Sequence, residues 1–253
     1  MLRLKFASTG GLLIALVCLF SAPALPQEEK PQMLRLAYAK VNPDMMGEFG
    51  DVQKIVNDAL KKSGLPWRQV WGPSVFGEAG LWVAVTPVRN YAQFDEENPM
   101  RKALGDRDFE RYLNRARHVF GDVRYSLVVT VPELTIASDR TGPPTFARIM
   151  QVRVLPGKSA AFEAMIKTQL LPALKQAGVK DYWVNRTVLG PGGEYTVVHV
   201  FDKWAELDTL PTTPKLLGEE GFKTFMQGVA ETVQRTESFV MRHAAEYSFS
   251  TSP

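Results

Sequence analysis

Apolar and polar positions along this chain follow a plan of strand, helix, strand, strand, helix, strand, which then repeats. Leu34 to Val41 is apolar and β-prone, and Pro43-Asp44 ends it. From about Met45 to Ser63 the apolar positions Phe49, Val52, Ile55-Val56 and Ala59-Leu60 recur at helical spacing, with Gly64 as the stop. Trp67 to Phe76 and Leu81 to Val88 are two strand-like runs joined by a glycine-containing turn. Asp106 to Phe120 carries Phe109, Tyr112-Leu113, Ala116 and Phe120 on one helical face, and Val123 to Val131 closes the unit as a strand.

The second half repeats the plan. Phe146 to Leu155 predicts a strand, and Phe162, Met165-Ile166, Leu170 and Leu174 line a helix that Gly178 ends. Pro172 inside that helix predicts a kink, because it removes an amide donor and crowds the preceding turn. Asp181 to Leu189 and Glu194 to Asp202 form a hairpin around Gly190-Pro191-Gly192-Gly193, followed by a helix from Gly221 to Arg235 and a strand from Ser238 to Phe249. Leu36 and Ile149, Phe49 and Phe162, Tyr91 and Trp204, and Leu104-Gly105 and Leu217-Gly218 stand 113 residues apart. Gly64 and Gly178, Leu81 and Tyr195, and Tyr125 and Phe239 fit a shift of 114, which places small indels in loops. A period of this length means two copies of one domain-sized unit.

A βαββαβ order is the ferredoxin-like plan, with both helices on one face of a four-stranded sheet. On the first strands, one alternation set is Ala37, Ala39, Val41, matched by Met150, Val152, Val154; the other is Leu36, Tyr38, Lys40, matched by Ile149, Gln151, Arg153. Both sets contain apolar residues, so both sheet faces need cover. The expected fold is α+β: tandem ferredoxin-like repeats, residues 34–134 and 146–249, packed sheet to sheet within one chain. Residues 135–145, with Gly142-Pro143-Pro144, form the linker, and 250–253 a tail.

The N-terminus adds a destination. Arg3 and Lys5, an apolar run from Gly10 to Phe20, and Ala22-Pro23-Ala24 read as a signal peptide over residues 1–24, with 25–33 as an N-terminal extension. A secreted or periplasmic protein follows, with no stable membrane insertion once the leader is cut. Cys18 is the only cysteine, so the cleaved chain has no disulfide, thiolate metal site or cysteine nucleophile. The net charge of +3 becomes +1 when Arg3 and Lys5 leave, so no global field attracts nucleic acid.

Candidate chemistry centres on the second half. His199 lies in mid-strand, and at a shift of 114 its counterpart is Val85, so the halves differ there. One hairpin register sets His199 opposite Val184, with Tyr182, Arg186 and Tyr195 on its face; a one-residue slip brings Trp183, Asn185 and Thr187 there instead. Either set, with Trp204, lines a site for a small apolar or aromatic molecule, in which Arg186 or His199 stabilises a developing anion. His118, His199 and His243 are dispersed without metal-ligand spacing, and no metal site is expected.

The stretch EYTVVHVFDKWAELDTLPTTPKLLGEEGFKTF, Glu194 to Phe225, resembles the dimeric α/β-barrel superfamily, which includes the antibiotic-biosynthesis monooxygenase-like domains. A hydrophobic strand runs there into an aromatic-marked short helix, a proline-bearing loop and a Phe-rich helix. The resemblance implies a small-molecule-binding protein with cofactor-free oxygenation of an aromatic substrate as its chemistry; with the signal peptide, the expectation is an exported protein, a monomer or homodimer. The alternative is a non-catalytic interaction or scaffold protein. The superfamily also holds haem-binding and haem-degrading members, so haem on His118, His199 or His243 is a further implication. The degrading set of Asn, Trp and helix-borne His is incomplete here: the first strand has no interior asparagine and the following helix no tryptophan.

Overall fold

The computed structural model describes residues 31–138, 140–190 and 194–251; the expected signal peptide, 1–24, and the expected hairpin turn at 191–193 lie outside them. The first half contains β1 (Met33–Val41), α1 (Met46–Lys62), β2 (Trp67–Phe76), β3 (Leu81–Val88), α2 (Pro99–Leu104), α3 (Asp106–Val119) and β4 (Phe120–Thr130). The second contains β5 (Phe146–Val154), α4 (Ser159–Met165), α5 (Leu171–Gln176), β6 (Tyr182–Leu189), β7 (Glu194–Phe201), α6 (Ala205–Thr209), α7 (Thr213–Thr232) and β8 (Val233–His243). A two-residue strand, β9 (Phe249–Ser250), pairs with the start of β2.

The strands run β3–β1–β4–β6–β7–β5–β8–β2, and β2 pairs back to β3, which closes an eight-stranded antiparallel barrel. Each half is a ferredoxin-like unit, and the seams between them are β4 on β6 and β2 on β8. Leu36, Tyr38 and Val83 of one half meet Ile149, Phe239 and Met241 of the other in the barrel interior. Each such side chain contributes about 1.5–3 kcal/mol when fully buried, so closure covers the apolar faces that either sheet alone would leave wet. Outside the barrel, α1 and α3 cover one sheet and α4, α5 and α7 the other.

Several boundaries differ from the sequence pattern. The closing strands start at Phe120 and Val233, directly after α3 and α7, although apolar spacing extends the helices to Phe120 and Arg235. Both junction residues are extended, and their amides still cap the helix through Ala116 O and Val229 O. β8 ends at His243 rather than Phe249, because a turn over Ala245–Tyr247 redirects the chain toward β2. The repeated Leu-Gly pairs mark sharp breaks: Gly105 (φ 75°) separates α2 from α3, and Gly218 (φ 69°) interrupts α7, a conformation that favours glycine.

Strand register also resolves the two spacings. Arg35 pairs with Thr86 and Ala37 with Ala84, as Arg148 pairs with His199 and Met150 with Val197, so β3 matches β7 at a shift of 113. The counterpart of His199 is therefore Thr86, not Val85, and Trp82, not Leu81, matches Tyr195. Ser126, not Tyr125, likewise matches Phe239, since they pair with Leu36 and Ile149. Only β2 and β6 stand at 114, with Val70 opposite Ala84 and Val184 opposite Val197. The additional residue enters in a π-helical turn, Ile166–Leu170, just before Pro172, and the shorter second hairpin cancels it. The wider turn is how the helix accommodates its proline.

Candidate functional site

The residues singled out in the second half occupy separate places. His199 pairs with Tyr182 rather than Val184; that two-residue displacement keeps Tyr182, Arg186 and Tyr195 on its face, against the helices. Tyr195 and Arg186 converge on Glu163 of α4, which accepts from the tyrosine Oη at 2.7 Å and the guanidinium Nη1 at 3.1 Å. Four strand positions, roughly 13 Å, separate that group from His199. Burial and the hydrogen bond to Glu163 push the Tyr195 phenol up to about 12. Trp183 and Asn185 point the other way, into the barrel. There Trp183 is packed in the core, and buried Asn185 accepts from Thr130 Oγ1 and donates to Thr196 O, tying the β4–β6 seam. Trp204 lies outside, within 5.7 Å of the Phe146, Phe201 and Phe76 rings.

His199 is half-buried beside Arg148. Burial first, then that cation, lowers its pKa below the ordinary histidine value. The Tyr182 hydroxyl is buried without a hydrogen-bond partner among the described residues, and burial pushes its pKa up. On this face Met150, Val152 and Val197 project toward the helices and pack against them.

The space lies in the other half. Between the outer face of β1–β3 and helices α1, α2 and α3 is a cavity of about 500 Å³. Its floor carries Ala37, Ala39 and Ala84, at the positions where the second half has Met150, Val152 and Val197. Three small side chains in place of three larger ones open one sheet–helix interface and leave its twin closed. Phe49, Trp82, Met100, Phe109 and Tyr112 supply apolar and aromatic walls. The rim is formed by Arg117, Tyr125 and Arg35, whose guanidinium lies 4.4 Å from the Tyr125 ring centre.

Arg68, at the end of β2 beside β9, is the deepest charge on this wall and is 5 % exposed. Its Nη1 donates to Asn57 Oδ1 (2.9 Å) and Tyr247 O (3.0 Å), and its Nη2 to Gln53 Oε1 (2.6 Å). All three acceptors are neutral, and no carboxylate pairs with it among the described residues. Burial lowers its pKa to about 10, so it stays cationic at neutral pH. Tyr112 lies close enough to feel Arg68 and Arg35, although burial dominates and raises its pKa. Register explains why this group is confined to one half: Tyr182, Ile166 and Leu171 stand where Arg68, Gln53 and Asn57 do. Neither Gln53 nor Arg68 belongs to a recognisable motif, and only the alanines on β1 and β3 hint at the opening.

Among the described residues no histidine, aspartate or glutamate lines the cavity. His118 is exposed, His243 Nε2 meets Gln69 Oε1 at 2.5 Å at one end of the barrel, and His199 is in the other half. Haem in this cavity would have no histidine ligand, so the donor set does not fit a histidine-bound haem. Among the described residues no group of three His, Cys, Asp or Glu side chains could hold a metal ion, and no helix is long and apolar enough to cross a membrane. A second cavity of about 420 Å³ opens at one end of the barrel beside Arg124, Gln151 and Glu237.

No protein-family model matches the sequence, and no curated protein matches it. Solved structures do. An anthrone oxidase-like protein superposes with a TM-score of 0.57 at 14% identity, covering 89% of this chain and 95% of its own. A candidate monooxygenase from Fusobacterium nucleatum gives 0.57 at 10% identity, covering 87% and 95%. The chlorite dismutase of Candidatus Nitrospira defluvii gives 0.52 at 12%, covering 85% and 92%. What these structures share with the chain is the fold, an antiparallel barrel of ferredoxin-like halves with helices outside it, here with both halves in one chain. At these identities the likeness is one of fold, and the chemistry rests on the residues of this site.

Proposed function

We propose that this protein is exported and binds a small, largely apolar aromatic molecule in the sheet–helix cavity of its first half. The observation that carries the reading is the asymmetry between the halves: the same interface is open over Ala37, Ala39 and Ala84 and filled over Met150, Val152 and Val197. Concave, mostly apolar sites with a few polar groups are the usual form of small-molecule pockets. Cofactor-free oxygenation is the chemistry to test first, since Arg68 offers a fixed charge for a substrate anion. In such a reaction a substrate CH₂ becomes C=O, one atom of O₂ enters the product and the other leaves as water. Among the described residues the lining holds no carboxylate or imidazole to act as general base, which favours binding without catalysis unless the substrate arrives already ionised.

The experiment is oxygen uptake with anthrone as the probe, with anthraquinone followed by its absorption, alongside calorimetric titration with the same compound. Turnover above the protein-free rate supports an oxygenase. Saturable binding without turnover supports a binding protein, and the absence of both turnover and saturable binding overturns the reading. Fractionation of cells expressing the full chain tests export: protein retained in the cytosol with its leader intact refutes it.

A further inference from the structure

The cavity is baseless but cationic, and that combination constrains its ligand. A guanidinium withdrawn from water costs several kcal/mol unless an opposite charge or good hydrogen bonds offset the loss. Arg68 has three neutral acceptors, and its Nε and one Nη2 hydrogen have no protein acceptor among the described residues. The second half shows that the fold does not require a cation there, since Tyr182 occupies the same place between Ile166 and Leu171. Nor do the described residues of its lining include a carboxylate or imidazole that would make an anion from a neutral molecule. Arg35 and Arg117 at the rim carry the same sign as Arg68, so the entrance also favours negative charge.

We infer that the ligand of the first-half cavity is an aromatic acid already ionised at neutral pH, its anionic group seated on the unused donors of Arg68 and its rings held between Trp82, Phe109 and Tyr112. This rests on the small-molecule reading above and narrows it to a charge class. Arg68 then sets specificity: a guanidinium presents a planar fork that matches a carboxylate, and hydrogen bonds to charged groups are worth more than neutral ones.

The test is a matched pair of probes, 2-naphthoate and 2-naphthamide, titrated by calorimetry into the purified protein at pH 7.5. The naphthoate is expected to bind ~10- to 100-fold more tightly than the amide. Equal affinities overturn the acid assignment while leaving the cavity reading intact; no binding of either probe defeats both. Arg68→Met is expected to abolish the preference and retain amide binding. Because Arg68 also ties α1 to the Tyr247 turn, a second variant covers the case in which that protein does not fold. Gln53→Glu sets a carboxylate against Nη2 and neutralises the cation in place, and it should erase the preference in the same way. A preference that survives Gln53→Glu refutes Arg68 as its origin.

Discussion

Filling the open cavity with the side chains of its closed twin should make the protein more stable and blind to its ligand. The perturbation is the triple variant Ala37→Met, Ala39→Val, Ala84→Val, which copies Met150, Val152 and Val197 onto their register-matched positions. It adds about seven heavy atoms, worth ~5–6 kcal/mol at about 0.8 kcal/mol per fully buried methylene. The three alanines are only partly buried, and the methionine loses up to about 2 kcal/mol of rotamer freedom, so the expected gain is about 1–3 kcal/mol. For a chain of this size that corresponds to a rise in Tm of roughly 2–10 °C. The assay is thermal unfolding of both proteins together with titration of 2-naphthoate, whose affinity should fall by at least ~30-fold. Unchanged affinity would show that the ligand binds elsewhere. A fall in Tm would show that the alanines sit against packed neighbours and that the opening has another origin.

The second half offers two sharper checks. Tyr182→Phe removes a hydroxyl that is buried without a partner and should raise stability by about 1 kcal/mol, since an unsatisfied buried donor costs about 1–3 kcal/mol; a loss of stability in urea unfolding would reveal a hydrogen bond to that group. His199→Thr, copying Thr86, should flatten the pH dependence of stability. Burial and Arg148 hold the folded-state pKa of His199 below its unfolded value near 6.5, so the native protein loses stability as pH falls from about 6.5 through that lowered value. Between pH 8 and pH 5 the drop in Tm should be smaller in the variant. His243, lowered in the same sense, leaves part of the slope in place, and equal slopes would mean that His199 titrates normally.

The architecture was legible because it rests on periodicity. Alternation in Leu36–Tyr38 and Ile149–Gln151 and the matched glycines after α1 and α5 report local geometry, and a βαββαβ unit with an apolar outer sheet has few ways to cover it. The site was not legible for a related reason. It consists of what is missing over Ala37, Ala39 and Ala84, and an alanine in a strand gives no chemical signal. Attention instead goes to His199 and its aromatic neighbours, which look like chemistry and are mostly packing: Tyr195 on Phe162, Trp183 inside the barrel, Trp204 among phenylalanines. The assignment of Val85 to His199 failed because a one-residue insertion in a helix was carried past the hairpin that cancels it. Arg68 sits within a strand whose apolar pattern gives no reason to expect a buried cation.

Fusion of the halves also has an energetic consequence. An empty cavity costs about 24 cal/mol per Å³, so 500 Å³ corresponds to an upper limit of about 12 kcal/mol, reduced here because the rim admits water. Net stabilities of domains run about 5–15 kcal/mol. A barrel made of two identical subunits carries any such opening twice, and two near that limit exceed what the fold has in reserve. With both halves in one chain, the second can stay closed over Met150, Val152 and Val197 and hold both seams, while the first keeps the opening and the unpaired Arg68. The filled half is then the reason the open half can exist, and substitutions that loosen it, such as Val197→Ala, should weaken ligand binding at the far cavity only through global stability and leave the naphthoate preference unchanged.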